Sequence, residues 1–227
     1  MALLLLLETS GKMCSVALER DGVLLAEKEL GKEYTHAENL TLFIEDVLLQ
    51  AHVAFSELNA VAVSKGPGSY TGLRIGVSTA KGLCYSLGIP LIAVSTLEAM
   101  GKAFIASAAV SPSGPSFYCP LIDARRMEVY SAVYDSSGVE VEPVSAKIID
   151  TTSFAEYLEK GTVYFFGDGA MKCNTLITHP HAVFIADVLP SAKNLISFAE
   201  DAFSKKRFED VAYFEPYYLK EFFTGKK

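Results

Sequence analysis

The sequence predicts a duplicated α/β architecture. Strand-like segments open each half of the chain, helical and strand patterns alternate after them, and a stretch rich in Ala, Ser, Pro and Gly, Ser107 to Ser116, separates the halves. Length and composition fit this picture. The 227 residues, half of them hydrophobic and 21% charged, suffice for one large domain or two small lobes. No internal repeat is visible residue by residue.

The first half opens on Leu3 to Glu8, an apolar run that reads as a buried strand. Ser15 to Glu19 alternates as a second strand. Asp21-Gly22 is a two-residue hairpin signal leading into a third, Val23 to Leu30, so the start is a meander. Thr35 to His52 reads as a helix with Leu40, Ile44, Val47, Leu48 and Ala51 on one face. Ala60 to Ser64 is a short strand, Gly66-Pro67-Gly68-Ser69 a turn, and Thr71 to Leu87 a helix stopped by Gly88 with Pro90 behind it. Leu91 to Val94 is a strand, after which Ser95 and Glu98 have capping-box spacing.

The second half gives strands at Phe117 to Ile122, Glu128 to Tyr134 and Val139 to Ile149, the last two joined through Ser136-Ser137-Gly138. A helix near Ser153 to Leu158, a strand at Val163 to Phe166 and a helix after Gly167-Asp168-Gly169 follow. Ser191 to Phe203 is an amphipathic helix.

Composition excludes several classes. The net charge of −7 and the longest basic run, Lys205-Lys206-Arg207, do not suit a chain that grips nucleic acid alone, so any RNA contact relies mostly on a partner. The opening run lacks a basic flank and a cleavage site, ends at Glu8 and is too short to span a membrane. Cys14, Cys84, Cys119 and Cys173 are too scattered for a zinc pattern. A reduced, cytoplasmic protein with core cysteines is therefore expected.

The segment from Gly66 to Gly76 invites three readings. A strand, a glycine turn and a helix start can bind phosphate. However, Thr71-Gly72-Leu73 lacks the Gly-Lys-Ser/Thr ending of a nucleotide loop, and Gly66, Gly68 and Gly72 are one residue too widely spaced for a dinucleotide fingerprint. A tight turn explains Gly66 and Gly68 alone. Gly72 and Gly76 lie inside the helix, where each glycine costs about 1 kcal/mol relative to alanine. With Ala80 they form a ridge of four-residue period that admits a close neighbour, either the Thr35 to His52 helix or another chain.

Other segments carry residue types found at functional sites. Glu8-Thr9-Ser10 stands where actin-like and sugar-kinase-like folds place an acid for metal and phosphate, or is a plain turn. His36-Ala37-Glu38 cannot share a metal through one helical face, and His179-Pro180-His181 lacks further ligands. Arg125 and Arg126, in Asp123-Ala124-Arg125-Arg126-Met127-Glu128, are either solvated charges at a strand end or partners for a carboxylate or phosphate across a cleft. No nucleophile elbow is present.

The run Ala62 to Val77 closely resembles the TsaB (YeaZ-type) family, with support from Leu7-Glu8-Thr9-Ser10, His36-Ala37-Glu38-Asn39-Leu40, Lys81-Gly82-Leu83, Val94 to Ala99, Asp123-Ala124-Arg125 and the ending Phe214 to Leu219. The likeness is dense over the first hundred residues and thin after Asp135. It implies a two-lobed actin-like ASKHA-type fold with ribonuclease H-like lobes, residues 1–106 plus roughly 190–227 forming one and 107–189 the other. It also implies a non-catalytic partner of a TsaD-type threonylcarbamoyl transferase in tRNA threonylcarbamoyladenosine biosynthesis, joined by a TsaE-type ATPase, homodimeric in isolation and meeting tRNA only through the complex. No cofactor, metal or membrane is implied. The implied partner interface comprises His36, Leu40, Phe43 and Val47 on the first helix, with Gly72, Arg74, Ile75, Gly76, Thr79 and Ala80 on the second. Glu8 replaces the family's frequent Asp, which weakens the case for a nucleotide site. The rival readings are a small-molecule kinase of the same fold and a peptidase that cleaves its partner.

Overall fold

The computed structural model describes residues 2–31, 36–110, 112 and 114–220. The chain divides into two compact units, the first formed by Met1–Ala99 with Pro190–Pro216 and the second by Met100–Leu189 with Tyr217–Lys227. The first unit contains β1 (Leu3–Glu8), β2 (Met13–Arg20), β3 (Val23–Gly31), α1 (His36–Gln50), β4 (Ala60–Gly66), α2 (Tyr70–Leu87), β5 (Leu91–Ser95) and the start of α3 (Thr96–Ala106). The second contains β6 (Ser116–Asp123), β7 (Glu128–Asp135), β8 (Glu140–Ile148), α4 (Ala155–Leu158), β9 (Thr162–Phe166), α5 (Ala170–Cys173) and β10 (Ala182–Ile185). The chain then returns to the first unit with α6 (Ile196–Ser204).

Among the described residues each unit holds one five-stranded sheet, ordered β3-β2-β1-β4-β5 and β10-β9-β6-β7-β8. Counted within its own unit, each has the order third, second, first, fourth, fifth. The first three strands pair antiparallel and the last two join parallel. The two lobes thus share one topology, and the expected duplicated α/β, ASKHA-type fold is the one observed.

β1 shows why its sequence is a continuous apolar run. Leu3, Leu5 and Leu7 face a core shared with α1 and α2, including Leu40, Ile44, Val47 and Val77. Leu4 and Leu6 face the opposite core, with Ala192, Leu195 and Ala199 from the returning segment. A strand covered on both faces has no polar side to show. The β2–β3 turn uses the expected Asp21-Gly22, with φ of 51° and 80°, the doubly left-handed backbone of a tight hairpin. α2 ends at Gly88, φ 68°, whose N–H donates to Cys84 O.

Two elements differ from the sequence reading. The helix expected over Ser191 to Phe203 begins as a 3-10 turn, Ala192–Leu195, and becomes α6 only at Ile196. Side chains fix that first turn, since Ala192 N–H donates to Ser15 Oγ at 2.9 Å and Ser191 Oγ to Glu29. β10 had no sequence signal. It is a four-residue run behind His179-Pro180-His181, too short for its periodicity to be read. No helix among the described residues is long and apolar enough to cross a membrane.

β2 and α6 meet through two acids. Glu19, with no exposed surface, presents Oε2 to Gly22 N–H at 2.7 Å, while its Oε1 and Glu200 Oε1 are buried without a donor among the described residues. Burial first, then the facing Glu200, pushes Glu19 up to about 8. The folded lobe therefore keeps a proton that the unfolded chain releases near the usual carboxyl range, and this contribution is complete at acid pH and lost as pH rises toward 8. Urea unfolding midpoints should fall between pH 5.5 and about 8.5, and Glu19→Gln should flatten that fall.

Candidate functional site

The tip of β1 meets the start of α2 through contacts that need glycine. β4 ends at Gly66, φ 107°, and a side chain on Gly68 would strike Ser10 O and Cβ. Ser69 N–H donates to Ser10 O at 2.6 Å, Ser69 Oγ accepts Gly72 N–H at 3.2 Å, and Leu73 N–H donates to Ser69 O at 2.8 Å. Three backbone donors at this helix start are thus engaged within the chain. One turn along, Thr9 Oγ1 donates to Gly72 O at 2.8 Å and occupies the space where a Gly76 Cβ would stand.

Glu8, 1% exposed, is closed in behind this seam. Its Oε1 accepts Ser10 N–H at 2.6 Å and Ser64 Oγ–H at 2.9 Å. Burial raises its pKa, against hydrogen bonds from Ser10, Ser64 and Thr9 that pull it down. A carboxyl so enclosed ties β1 to β4.

The ridge Gly72, Gly76 and Ala80 is buried, and its tight contact at Gly76 is with Thr9 rather than a helix. Leu40, Phe43 and Val47 of α1 and Gly72, Gly76 and Ala80 of α2 form the lobe's own core, because the periodicity that marks a contact face marks the inward face here. Arg74 is exposed, while Ile75 and Thr79 are half-buried. The His36 side chain lies outside the described residues.

The face turned outward on α2 runs through Thr71, Ser78, Gly82 and Tyr85, at helical spacing and with small residues at its centre. A side chain at Gly82 would meet nothing within 4 Å, and Tyr85 is 86% exposed. On α1 the outward face includes Leu42 and Leu49, 55% and 74% exposed. The interface expected from the sequence does not include Thr71, Ser78, Gly82 or Tyr85. On the far side of α2, Lys81 Nζ donates to Ala212 O and Phe214 O, both at 3.0 Å, anchoring the C-terminal segment.

The second lobe repeats the first turn in part. Asp123 ends β6 as Glu8 ends β1, and each carboxylate accepts the N–H two residues on, Asp123 Oδ1 from Arg125 at 2.8 Å. Gly167-Asp168-Gly169 follows β9 as Gly66-Pro67-Gly68 follows β4, with φ of 105° at Gly167 against 107° at Gly66. A side chain on Gly169 would press on Ile122 and Asp123, as one on Gly68 would on Ser10. A short internal repeat therefore exists that the sequence did not reveal. Asp123 is held by Lys172, which also donates to Arg126 O and Glu128 O at 2.9 and 2.7 Å.

The remaining groups are occupied otherwise. All four cysteines are buried, and burial pushes the thiols of Cys14, Cys84 and Cys173 up to about 11. His179 Nδ1 accepts His181 N–H at 3.1 Å, and His181 Nδ1 lies 2.9 Å from Leu158 O. Among the described residues no three His, Cys, Asp or Glu groups converge as for a metal.

Comparison with known proteins adds the following. The family model described as TsaD, tRNA N6-adenosine threonylcarbamoyltransferase, matches residues 32–221. The Escherichia coli tRNA threonylcarbamoyladenosine biosynthesis protein TsaB is 31% identical over 99% of this chain and 97% of its own length. The Haemophilus influenzae protein of that name is 28% identical over 99% and 96%. Among solved structures, YeaZ from Pseudomonas aeruginosa superposes with a TM-score of 0.80 at 29% identity, covering 96% of this chain and all of that one. A Pseudomonas aeruginosa structure described as uncharacterized, with similarity to peptidase YeaZ, gives 0.82 at 28% identity, covering 97% and 100%.

The seam is testable by a double-mutant cycle. Gly76→Ala should destabilise by about 1–3 kcal/mol through overpacking. Thr9→Ala should cost about 1 kcal/mol for its buried hydrogen bond. The double variant should be clearly less destabilised than the sum, read from urea midpoints, because removing the hydroxyl makes room for the methyl.

Proposed function

This chain belongs to the TsaB (YeaZ-type) family, and from that premise we propose that it is a non-catalytic subunit of the cytoplasmic machinery for tRNA threonylcarbamoyladenosine biosynthesis. It supports a TsaD-type transferase by presenting the outward faces of α1 and α2. In isolation the same face pairs two copies of the chain, and a TsaE-type ATPase joins the assembled complex.

The observation that carries this reading is the outer stripe of α2. Thr71, Ser78 and Gly82 let a partner helix approach closely, while Leu42, Leu49 and Tyr85 offer apolar surface around them. The match to the TsaD family model supports a partner of the same fold, able to lay matching helices against these. The enclosed Glu8 and the Lys172-bound Asp123 support the absence of chemistry, because a kinase of this architecture needs carboxylates open to metal and phosphate. The buried, raised thiols give a peptidase no nucleophile.

Gly82→Leu separates interface from fold. At an exposed helical position leucine gains about 0.8 kcal/mol of helix propensity over glycine, so the thermal midpoint should hold or rise. Combined with Leu49→Glu, it should abolish co-purification with a TsaD-type subunit. Undiminished co-purification of the folded double variant would refute the assigned face.

A further inference from the structure

The tip of the β6–β7 hairpin carries two consecutive arginines, Arg125 and Arg126, in the left-handed region, with φ of 69° and 49°. A turn that only reverses the chain is better served there by glycine, asparagine or aspartate. A bulky residue kept in that region is held by its surroundings, and such outliers gather at sites of function. Here the holding groups are explicit. Asp123 Oδ1 accepts Arg125 N–H at 2.8 Å, Glu128 N–H donates to Arg125 O at 3.2 Å, and Ala124 N–H donates to Glu128 O at 3.1 Å. Beneath them Lys172 Nζ binds the carbonyls of Arg126 and Glu128 and pairs with Asp123.

The carboxylates around the tip have partners other than the arginines. Asp123 is paired with Lys172 and Glu128 with Lys220, while Asp168 Oδ1 accepts Asp123 N–H at 2.9 Å. Both arginine side chains are exposed, and neither pairs with a carboxylate among the described residues. In a chain of net charge −7, two adjacent free guanidinium groups on a braced turn are a local exception.

We propose that Arg125 and Arg126 form an anion-docking tip that grips the phosphodiester backbone of the RNA handled by the assembled complex. This rests on the reading of the chain as a subunit of a tRNA-modifying complex and adds a contact of its own to the RNA. Exposure of both side chains favours a polyanion over a protein carboxylate. A single exposed ion pair yields little net binding, whereas each phosphate neutralised releases condensed counterions, which drives association even at a wet surface. Arginine also presents two parallel donors to a phosphate without needing a buried pocket. The acidic remainder of the chain fits this role, because the partner supplies the bulk attraction and the tip fixes one point of register.

The test uses the complex of the full chain with its TsaD-type partner and fluorescently labelled, unmodified tRNA, titrated by anisotropy between 50 and 200 mM KCl. Arg125→Ala/Arg126→Ala should weaken binding about tenfold near 150 mM and lower the log–log salt slope by about 1.5. Arg125→Gly/Arg126→Gly should lose binding equally while raising the free chain's thermal midpoint by about 2–4 °C, because glycine relieves the left-handed backbone. That pairing separates lost charge from lost fold. Unchanged affinity and slope in the alanine variant would overturn the proposal. So would loss of co-purification with the TsaD-type subunit, since the arginines would then be holding a protein carboxylate. Failure of the wild-type chains to assemble would instead refute the subunit reading beneath it.

Discussion

Thr9 Oγ1 reaches Gly72 O at 2.8 Å only because Gly76 has no side chain to stand in its way. That contact draws the tip of β1 against the first two turns of α2. Ser69 closes the same junction through Ser10 and Gly72, and Glu8 is sealed behind it with Ser10 and Ser64. With the inner face of α2 thus fixed to the sheet, its outer face is set as well. Thr71, Ser78, Gly82 and Tyr85 must point to solvent. One seam therefore closes the turn where related folds do chemistry and displays the surface proposed to meet a partner.

The second lobe builds its corresponding turn from the same parts to a different end. The acid at the end of the first strand, the bond to the N–H two residues on and the glycine pair after the fourth strand all recur. In the first lobe the turn folds inward, its threonine buried against glycine. In the second, Lys172 braces the turn from below and the arginines stand outside. Both acids are engaged by the chain's own groups, by hydroxyl and amide in one lobe and by amide and ammonium in the other. The shared topology makes the engagement of an acid at the end of the first strand in each lobe a paired observation rather than an isolated one.

How much of this the sequence disclosed depends on how far apart the interacting residues lie. Leu3 to Leu7 announced a strand buried on both faces, and Asp21-Gly22, Gly88 and the helical spacing of Leu40, Ile44 and Val47 set their elements correctly. Each of those signals is local. The Gly72, Gly76 and Ala80 ridge was equally visible, but its partner, Thr9, lies more than sixty residues away, as the 63-residue span of its hydrogen bond to Gly72 shows. Periodicity located a close contact without saying what made it. The internal repeat escaped because it rests on one acid and two glycines per lobe, too few letters to stand out until φ values and strand order align them.

The central claim is that this chain contributes assembly rather than chemistry, and reconstitution addresses it most directly. A TsaD-type subunit, a TsaE-type ATPase, tRNA and a threonylcarbamoyl donor should yield modified adenosine, read by nucleoside mass spectrometry, only when this chain is added. The chain with donor and tRNA alone should yield none. Modification at full rate without it, or by it alone, would contradict the account.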